Sequence, residues 1–177
     1  MEPDEGSYSW GVTTSLSYFP KDNSRMFKED ETMTEYLQQY STEDDDNFVR
    51  SFLGRMLFTG DEALKKCTVL SGGERVRVVL AKMMLEGANC MIFDEPTSHL
   101  DLESIQALNN GLIDFKGVLL FNSHDHQFVD SIANRIIEFT PAGVIDKMMD
   151  FDDYLVDEGV KALRNKAYEN VKGVVLL

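Results

Sequence analysis

Residues 90–101, Cys-Met-Ile-Phe-Asp-Glu-Pro-Thr-Ser-His-Leu-Asp, place two adjacent carboxylates directly after a short apolar run. The run Cys90–Phe93 has the length and composition of a buried strand, and ligands bind where the strands of a parallel sheet end. Asp94 is a candidate ligand for Mg²⁺, because this ion prefers oxygen ligands and keeps several waters. Glu95 is a candidate to orient and deprotonate an attacking water. Taken alone, however, the stretch favours a simple strand end over a catalytic site.

Two flanking segments shift the interpretation from a simple strand end to a catalytic site. Residues 70–74 are Leu-Ser-Gly-Gly-Glu, and residues 122–125 are Asn-Ser-His-Asp. Ser71 and Glu74 have the spacing of a capping box, which predicts a helix from this point to about Glu86. Glycines allow a backbone to approach a ligand closely, and the N–H groups at a helix N-terminus suit a phosphate.

The surrounding pattern alternates apolar segments with helical ones, which favours an α/β fold built on a mostly parallel sheet. The acidic run Glu43–Asp46 suits a helix N-terminus, and a metal site there is the alternative. The sequence predicts strands at 10–19, 90–93 and 117–121, a hairpin from 135–139 and 144–148, two short helices within 31–58, and helices at 102–115, 125–133 and 158–170.

Composition narrows the class of protein. The chain has 177 residues, enough for one domain with a core, and its net charge of −14 argues against a nucleic-acid surface. The two cysteines, Cys67 and Cys90, are too few for a disulfide framework and have no metal-binding spacing. We find no signal peptide and no apolar run long enough to span a membrane. A cytoplasmic protein is therefore expected.

The order and spacing of these segments resemble the ATP-binding cassette (ABC) family over residues 10–155. Leu70–Glu74 is similar to the signature motif, and Cys90–Glu95 to the Walker B motif with its catalytic glutamate. Ser98–Asp101 is similar to the D-loop, and His124 to the switch histidine. The resemblance implies part of a P-loop NTPase domain. Its expected divisions are a helical signature subdomain at 31–87, catalytic core at 10–22 and 88–150, and a C-terminal extension at 151–177.

The resemblance also implies a chemistry, namely hydrolysis of ATP with Mg²⁺. Glu95 would act as the base, Asp94 would hold Mg²⁺ through water, and His124 would contact the γ-phosphate. The site would be composite, because the signature motif of one cassette serves the nucleotide of the other. Ser71, Gly72, Gly73 and Glu74 would face that opposite nucleotide, and Ser98 and Asp101 would belong to the D-loop.

Three stretches resemble one subfamily, the soluble, duplicated ABC-F proteins that act on ribosomes: Asp94–Asp101, His124–Asp130 and Phe151–Tyr154. This resemblance implies the second cassette of a cytoplasmic protein, with another cassette in the same chain and the ribosome as partners. Two alternatives stay open. The chain could belong to the ATP-binding subunit of a membrane transporter, or to a non-enzymatic interaction module.

Two departures from the family are visible. The sequence contains no Gly-x-x-x-x-Gly-Lys-Ser/Thr loop, which cradles phosphates in the family. We expect that loop to precede residue 1 and the isolated chain to be inactive. Lys21 stands where the Q-loop glutamine is expected, and an ammonium group cannot coordinate Mg²⁺. The apolar strand at 117–121 should form an open sheet edge beside a bare face, which predicts self-association.

Overall fold

The computed structural model describes residues 4–19, 26–27, 30–98 and 100–169. The chain divides into two compact units, Met1–Ser123 and His124–Leu177. Lys21 and the apolar tail at 171–177 lie outside the described residues. Within the described part of the chain, no helix combines the length and apolarity needed to cross a membrane.

The first unit contains a three-stranded parallel sheet. Strands β1 (Leu16–Phe19), β2 (Cys90–Asp94) and β3 (Val118–Asn122) pair in that order, with β2 in the centre. The predicted parallel sheet is therefore confirmed. The prediction of a strand beginning at residue 10 is wrong, because Thr14 N–H donates to the carbonyl of Gly11 at 2.9 Å and closes a turn just before β1.

The helices of this unit begin where their sequences provide caps. They are α1 (Met33–Gln38), α2 (Asp46–Arg55), α3 (Gly72–Leu85) and α4 (Leu102–Ile113), with 3₁₀ turns at Gly60–Leu64 and Cys67–Val69. Side chains accept hydrogen bonds from backbone N–H groups at each start, which satisfies donors that a helix leaves unpaired. The capping residues are Thr32 for α1, Asp45 for α2, Ser71 for α3 and Asp101 for α4.

One face of the sheet forms the core of the first unit. Phe19, Met91 and Phe93 are buried, and the rings of Phe19 and Phe93 stack with their centroids 5.5 Å apart. Helix α3 contacts β1 and also packs against α4. The strand that ends in Asp94 is therefore anchored by its apolar residues.

The opposite face is open. The strand predicted at residues 117–121 is confirmed as β3, and on this face Val118 is 56% exposed and Leu120 41% exposed. Tyr18 of β1 is likewise 56% exposed. Cys90 of the central strand, which is in register with Leu16 and Val118, is only 5% exposed, so the expectation of a fully bare sheet face stays a prediction. We call the apolar, exposed or half-buried part of this surface the bare sheet face; its members are Leu16, Tyr18, Ile92, Val118 and Leu120, which share one face by strand register.

The second unit consists of α5 (His126–Ile132), the antiparallel hairpin β4 (Ile136–Thr140) and β5 (Gly143–Lys147), α6 (Phe151–Val156) and α7 (Glu158–Tyr168). Ile145, Tyr154 and Val160 form its small core. The Tyr154 hydroxyl donates to one Glu138 oxygen at 2.5 Å, and Arg164 Nε donates to the other at 3.1 Å. The predicted hairpin and last helix are confirmed, whereas α6 was not predicted.

Candidate active site

The two adjacent carboxylates lie at the carboxyl end of the central strand. Asp94 is the last residue of β2 and is paired in register with Asn122, the last residue of β3. Glu95 follows directly, and both acidic residues are half-buried. The structure thus places them at the sheet edge where ligands of parallel sheets bind, as the sequence indicated. Their chemical roles stay predictions.

The backbone at Glu95 has an unusual conformation. Its φ of +49° lies in the left-handed region, which non-glycine residues seldom adopt and which costs on the order of 1–3 kcal/mol. The Glu95 N–H points to two oxygens of Asn122, the carbonyl at 3.2 Å and Oδ1 at 3.0 Å. These contacts fix the direction in which the Glu95 side chain leaves the sheet edge.

A second contact joins the two loops that follow β2 and β3. The hydroxyls of Thr97 and Ser123 lie 3.0 Å apart, and Thr97 is buried. Together with Asn122, these residues hold the loop that carries the carboxylates. Sequence reasoning did not assign them a role, although Asn122 and Ser123 directly precede His124 in the chain.

The chemistry of this edge suits Mg²⁺. Carboxylate oxygens are preferred ligands of Mg²⁺, which typically takes one or two of them together with waters and substrate phosphates. Among the described residues, no three His, Cys, Asp or Glu side chains converge on one point.

The predicted capping box holds the turn at residues 70–74, which we call the signature turn. Ser71 Oγ accepts the Glu74 N–H at 3.2 Å, and Glu74 Oε2 accepts the Ser71 N–H at 2.8 Å. Lys65 Nζ binds the other Glu74 oxygen at 3.0 Å. Burial acts to raise the pKa of Glu74, but the hydrogen bonds from Ser71 and Lys65 outweigh it and hold that pKa below its usual value. Glu74 is thus an anion engaged through both oxygens.

Ser71→Ala should destabilise the fold by about 1 kcal/mol, because it removes the acceptor for a helix-capping N–H. Ser71→Thr keeps a hydroxyl and should remain within a few tenths of a kcal/mol of the wild type. Urea unfolding of the two variants, followed by circular dichroism, measures the difference. Equal stabilities of Ser71→Ala and the wild type would contradict the capping role.

Asp101, a candidate D-loop residue, caps α4. Its Oδ1 accepts the Ser104 N–H at 2.9 Å. Hydrogen bonds from the Ser104 side chain and backbone lower the pKa of Asp101, and the charge of Arg77 adds to this effect. Ser104 is buried, whereas Ser98, the other D-loop candidate, is exposed. Ser104 was missed by sequence reasoning, although it stands at the capping distance after Asp101.

The roles of two further candidates, His124 and Lys21, stay predictions. His124 is exposed and is the first residue of the second unit, so its approach to a nucleotide stays a prediction. Lys21, at the expected Q-loop position, lies outside the described residues. The structure brings together Asp94, Glu95, Thr97, Asn122 and Ser123 at the sheet edge, and Gly73 with Asp101 and Ser104 between α3 and α4.

Several known proteins are similar to this chain. It is 59% identical over 170 residues to the uncharacterized ABC transporter ATP-binding protein YkpA of Bacillus subtilis, covering 95% of this chain and 32% of YkpA. It is 34% identical over 151 residues to the energy-dependent translational throttle protein EttA of Escherichia coli K12, covering 82% and 27%. It is 31% identical over 146 residues to ABC transporter F family member 2 of Arabidopsis thaliana, covering 82% and 21%.

The fold is similar to that of a solved structure. The structure of RNase-L Inhibitor matches 88% of this chain and 31% of its own length, with a TM-score of 0.68 and 22% identity. The sequence profile of the family described as ABC transporter matches residues 2–98, more than half of the chain. The chain spans about a third of YkpA and less of the other two relatives. It belongs to the ABC transporter family of ATP-binding proteins.

Proposed function

We propose that this chain forms part of the second nucleotide-binding domain of a cytoplasmic ABC-F protein that hydrolyses ATP and acts at the ribosome. The observation that carries the proposed ATPase activity is the strained backbone of Glu95, held by two oxygens of Asn122 at the end of β2. The name of EttA, a translational throttle protein, supports a role in translation, and the name of the F family member supports the ABC-F subfamily.

In the proposed reaction, the Glu95 carboxylate orients a water molecule and accepts its proton as the water attacks the terminal phosphate. The two contacts from Asn122 restrict the Glu95 backbone and hence the positions its carboxylate can reach. Asp94 would hold Mg²⁺, which would supply positive charge that offsets the charge of the phosphates. His124 donates to the γ-phosphate. The backbone N–H groups of residues 71–73 serve the nucleotide bound by a second cassette.

An ATP-binding subunit of a membrane transporter is the second candidate, favoured by the words ABC transporter in the name of YkpA. The two functions differ in their partner. We expect the full-length protein with Glu95→Gln to sediment with ribosomes when ATP is present and to separate from them without ATP. Failure to bind ribosomes, together with co-purification of a membrane subunit, would favour the transporter. Absence of ATP turnover in the wild type would favour an interaction module.

The isolated 177-residue chain should bind ATP–Mg²⁺ only weakly. Its sequence has no Gly-x-x-x-x-Gly-Lys-Ser/Thr loop, and that loop supplies many of the phosphate contacts in P-loop ATPases. Asp94 and Glu95 add negative charge at the sheet edge. Isothermal titration calorimetry should give a Kd above about 1 mM, equivalent to less than about 4.1 kcal/mol of binding.

The control for this titration is the full-length protein under the same conditions, which we expect to bind more tightly. A micromolar Kd for the isolated chain would contradict the prediction. It would mean that the described sheet edge and signature turn hold the nucleotide without a P-loop.

A further inference from the structure

The second signature glycine, Gly73, lies against the first turn of α4. A methyl group added to Gly73 would overlap the Ser104 hydroxyl, lie 3.2 Å from Ser104 Cβ and lie 3.6 Å from Asp101 Oδ1. Ser104 is only 2% exposed, so its side chain has little room to move. By contrast, no atom lies within 4 Å of the same position on Gly72. The two glycines therefore face different surroundings.

Arg77 lies one turn further along α3 and is 9% exposed. Its Nη1 donates to the carbonyl of Met56 at 3.0 Å, and its guanidinium lies 4.6 Å from the centroid of the Phe58 ring. Its Nε is buried and has no hydrogen-bond partner in the described part of the chain. The charge of Arg77 also acts on Asp101. Arg77 therefore fixes α3 to the end of α2, and its positive charge also acts on the carboxylate of Asp101.

We propose that Gly73, Arg77 and Ser104 are positioning residues that hold the signature turn and Asp101 of the D-loop together as one rigid block. This inference rests on the proposed function, in which both segments face an opposite cassette. Close-packed interiors transmit displacement because they deform little. When the opposite cassette moves the signature turn, Asp101 would therefore move with it. The missing side chain of Gly73 is what lets α3 and α4 approach each other closely enough.

In this proposal Gly73 is needed for packing against Ser104, and not only for contact with a phosphate. If Gly73 is needed for packing on Ser104, then removing the Ser104 side chain should relieve a substitution at Gly73. If Gly73 is needed only to admit the phosphate of an opposite nucleotide, a change at Ser104 should give no relief. Ser104→Gly is the matched change, because Ser104→Ala would leave a Cβ atom 3.2 Å from the new methyl group.

The experiment is a double-mutant cycle in the full-length protein with Gly73→Ala, Ser104→Gly and the double variant. Gly73→Ala should lower kcat by up to about 10²-fold, the loss that a small misplacement can cause, with little change in KM for ATP. Ser104→Gly alone should lose less kcat than Gly73→Ala, because it keeps the Ser104 N–H that Asp101 accepts, and the double variant should recover most of the kcat lost in Gly73→Ala. A double variant as slow as Gly73→Ala, with Ser104→Gly alone remaining active, would overturn the proposal.

Unfolding of the same variants in urea separates this inference from the proposed function. Relief of Gly73→Ala by Ser104→Gly in the unfolding midpoint would show coupled packing even if the protein lacked ATPase activity, which would itself remove the proposed function. Additive midpoint shifts would overturn the proposed block.

If Gly73→Ala does not fold, Ser104→Thr enlarges the same contact from the side of α4. That variant should lower kcat with KM unchanged, and normal turnover would again overturn the proposal.

Discussion

Glu95→Gln in the full-length protein is expected to slow ATP hydrolysis by about 10²–10⁴-fold, the usual cost of losing a general base, while ATP binding stays nearly unchanged. Glutamine keeps the size and shape of the side chain but cannot accept the proton of the attacking water. The Asn122 oxygens bind the backbone N–H of Glu95 rather than its side chain. The substitution should therefore leave the conformation of the sheet edge intact.

Single-turnover hydrolysis and binding of a fluorescent ATP analogue measure the two effects separately. Glu43→Gln is the matched control, since it makes the same chemical change at an exposed residue before α2, and it should leave both quantities unchanged. Turnover near the wild-type rate in Glu95→Gln would assign the base to another group. Loss of ATP binding would instead indicate that Glu95 holds the nucleotide or its cation.

The elements that could be predicted from the sequence are those specified by neighbouring residues. The start of α3 follows from Ser71 and Glu74, which lie three positions apart and form the whole capping box. The end of β2 follows from the change from an apolar run to carboxylates. The motifs of the family are equally local, so Asp94, Glu95 and the signature turn could be located from the sequence alone.

The errors arise where a distant partner decides the structure. Residues 10–15 have the composition of a strand, but Asn89 accepts from Ser15 N–H and donates to the Thr13 carbonyl, so regular pairing with β2 covers only Leu16–Phe19. Helix α6 has only six residues, too few for a clear helical periodicity in the sequence. Its Asp152 N–H is bound by Asp130, which lies 22 positions earlier.

The same limit applies to the site. A sequence shows that positions 72 and 73 are both glycine, but it does not show that Ser104 fills the space beside only one of them. It likewise does not show that Asn122 holds the backbone of Glu95 across the sheet. Positioning contacts of this kind join segments that are far apart in the chain, so they appear only when the strands and helices are packed.

The isolated chain is also expected to self-associate, and the bare sheet face is the surface on which we expect a second copy to pack. Parallel sheets normally have both faces covered, yet Tyr18 and Val118 are each 56% exposed. None of the five residues of the bare sheet face is charged. Strand β3 also forms an edge of the sheet as described, and residues 118–121 contain no charge or proline to discourage pairing.

Val118→Lys with Leu120→Lys should weaken this association by about 10²–10⁴-fold, because burial of each aliphatic side chain contributes about 1.5–3 kcal/mol. Val69→Lys with Val156→Lys is the control, since these residues are 69% and 65% exposed but lie outside the bare sheet face. Sedimentation velocity over a range of concentrations measures the association of both double variants.

The net charge of −14 opposes association, so added salt should strengthen it. A monomer at high micromolar concentration in high salt would contradict the prediction.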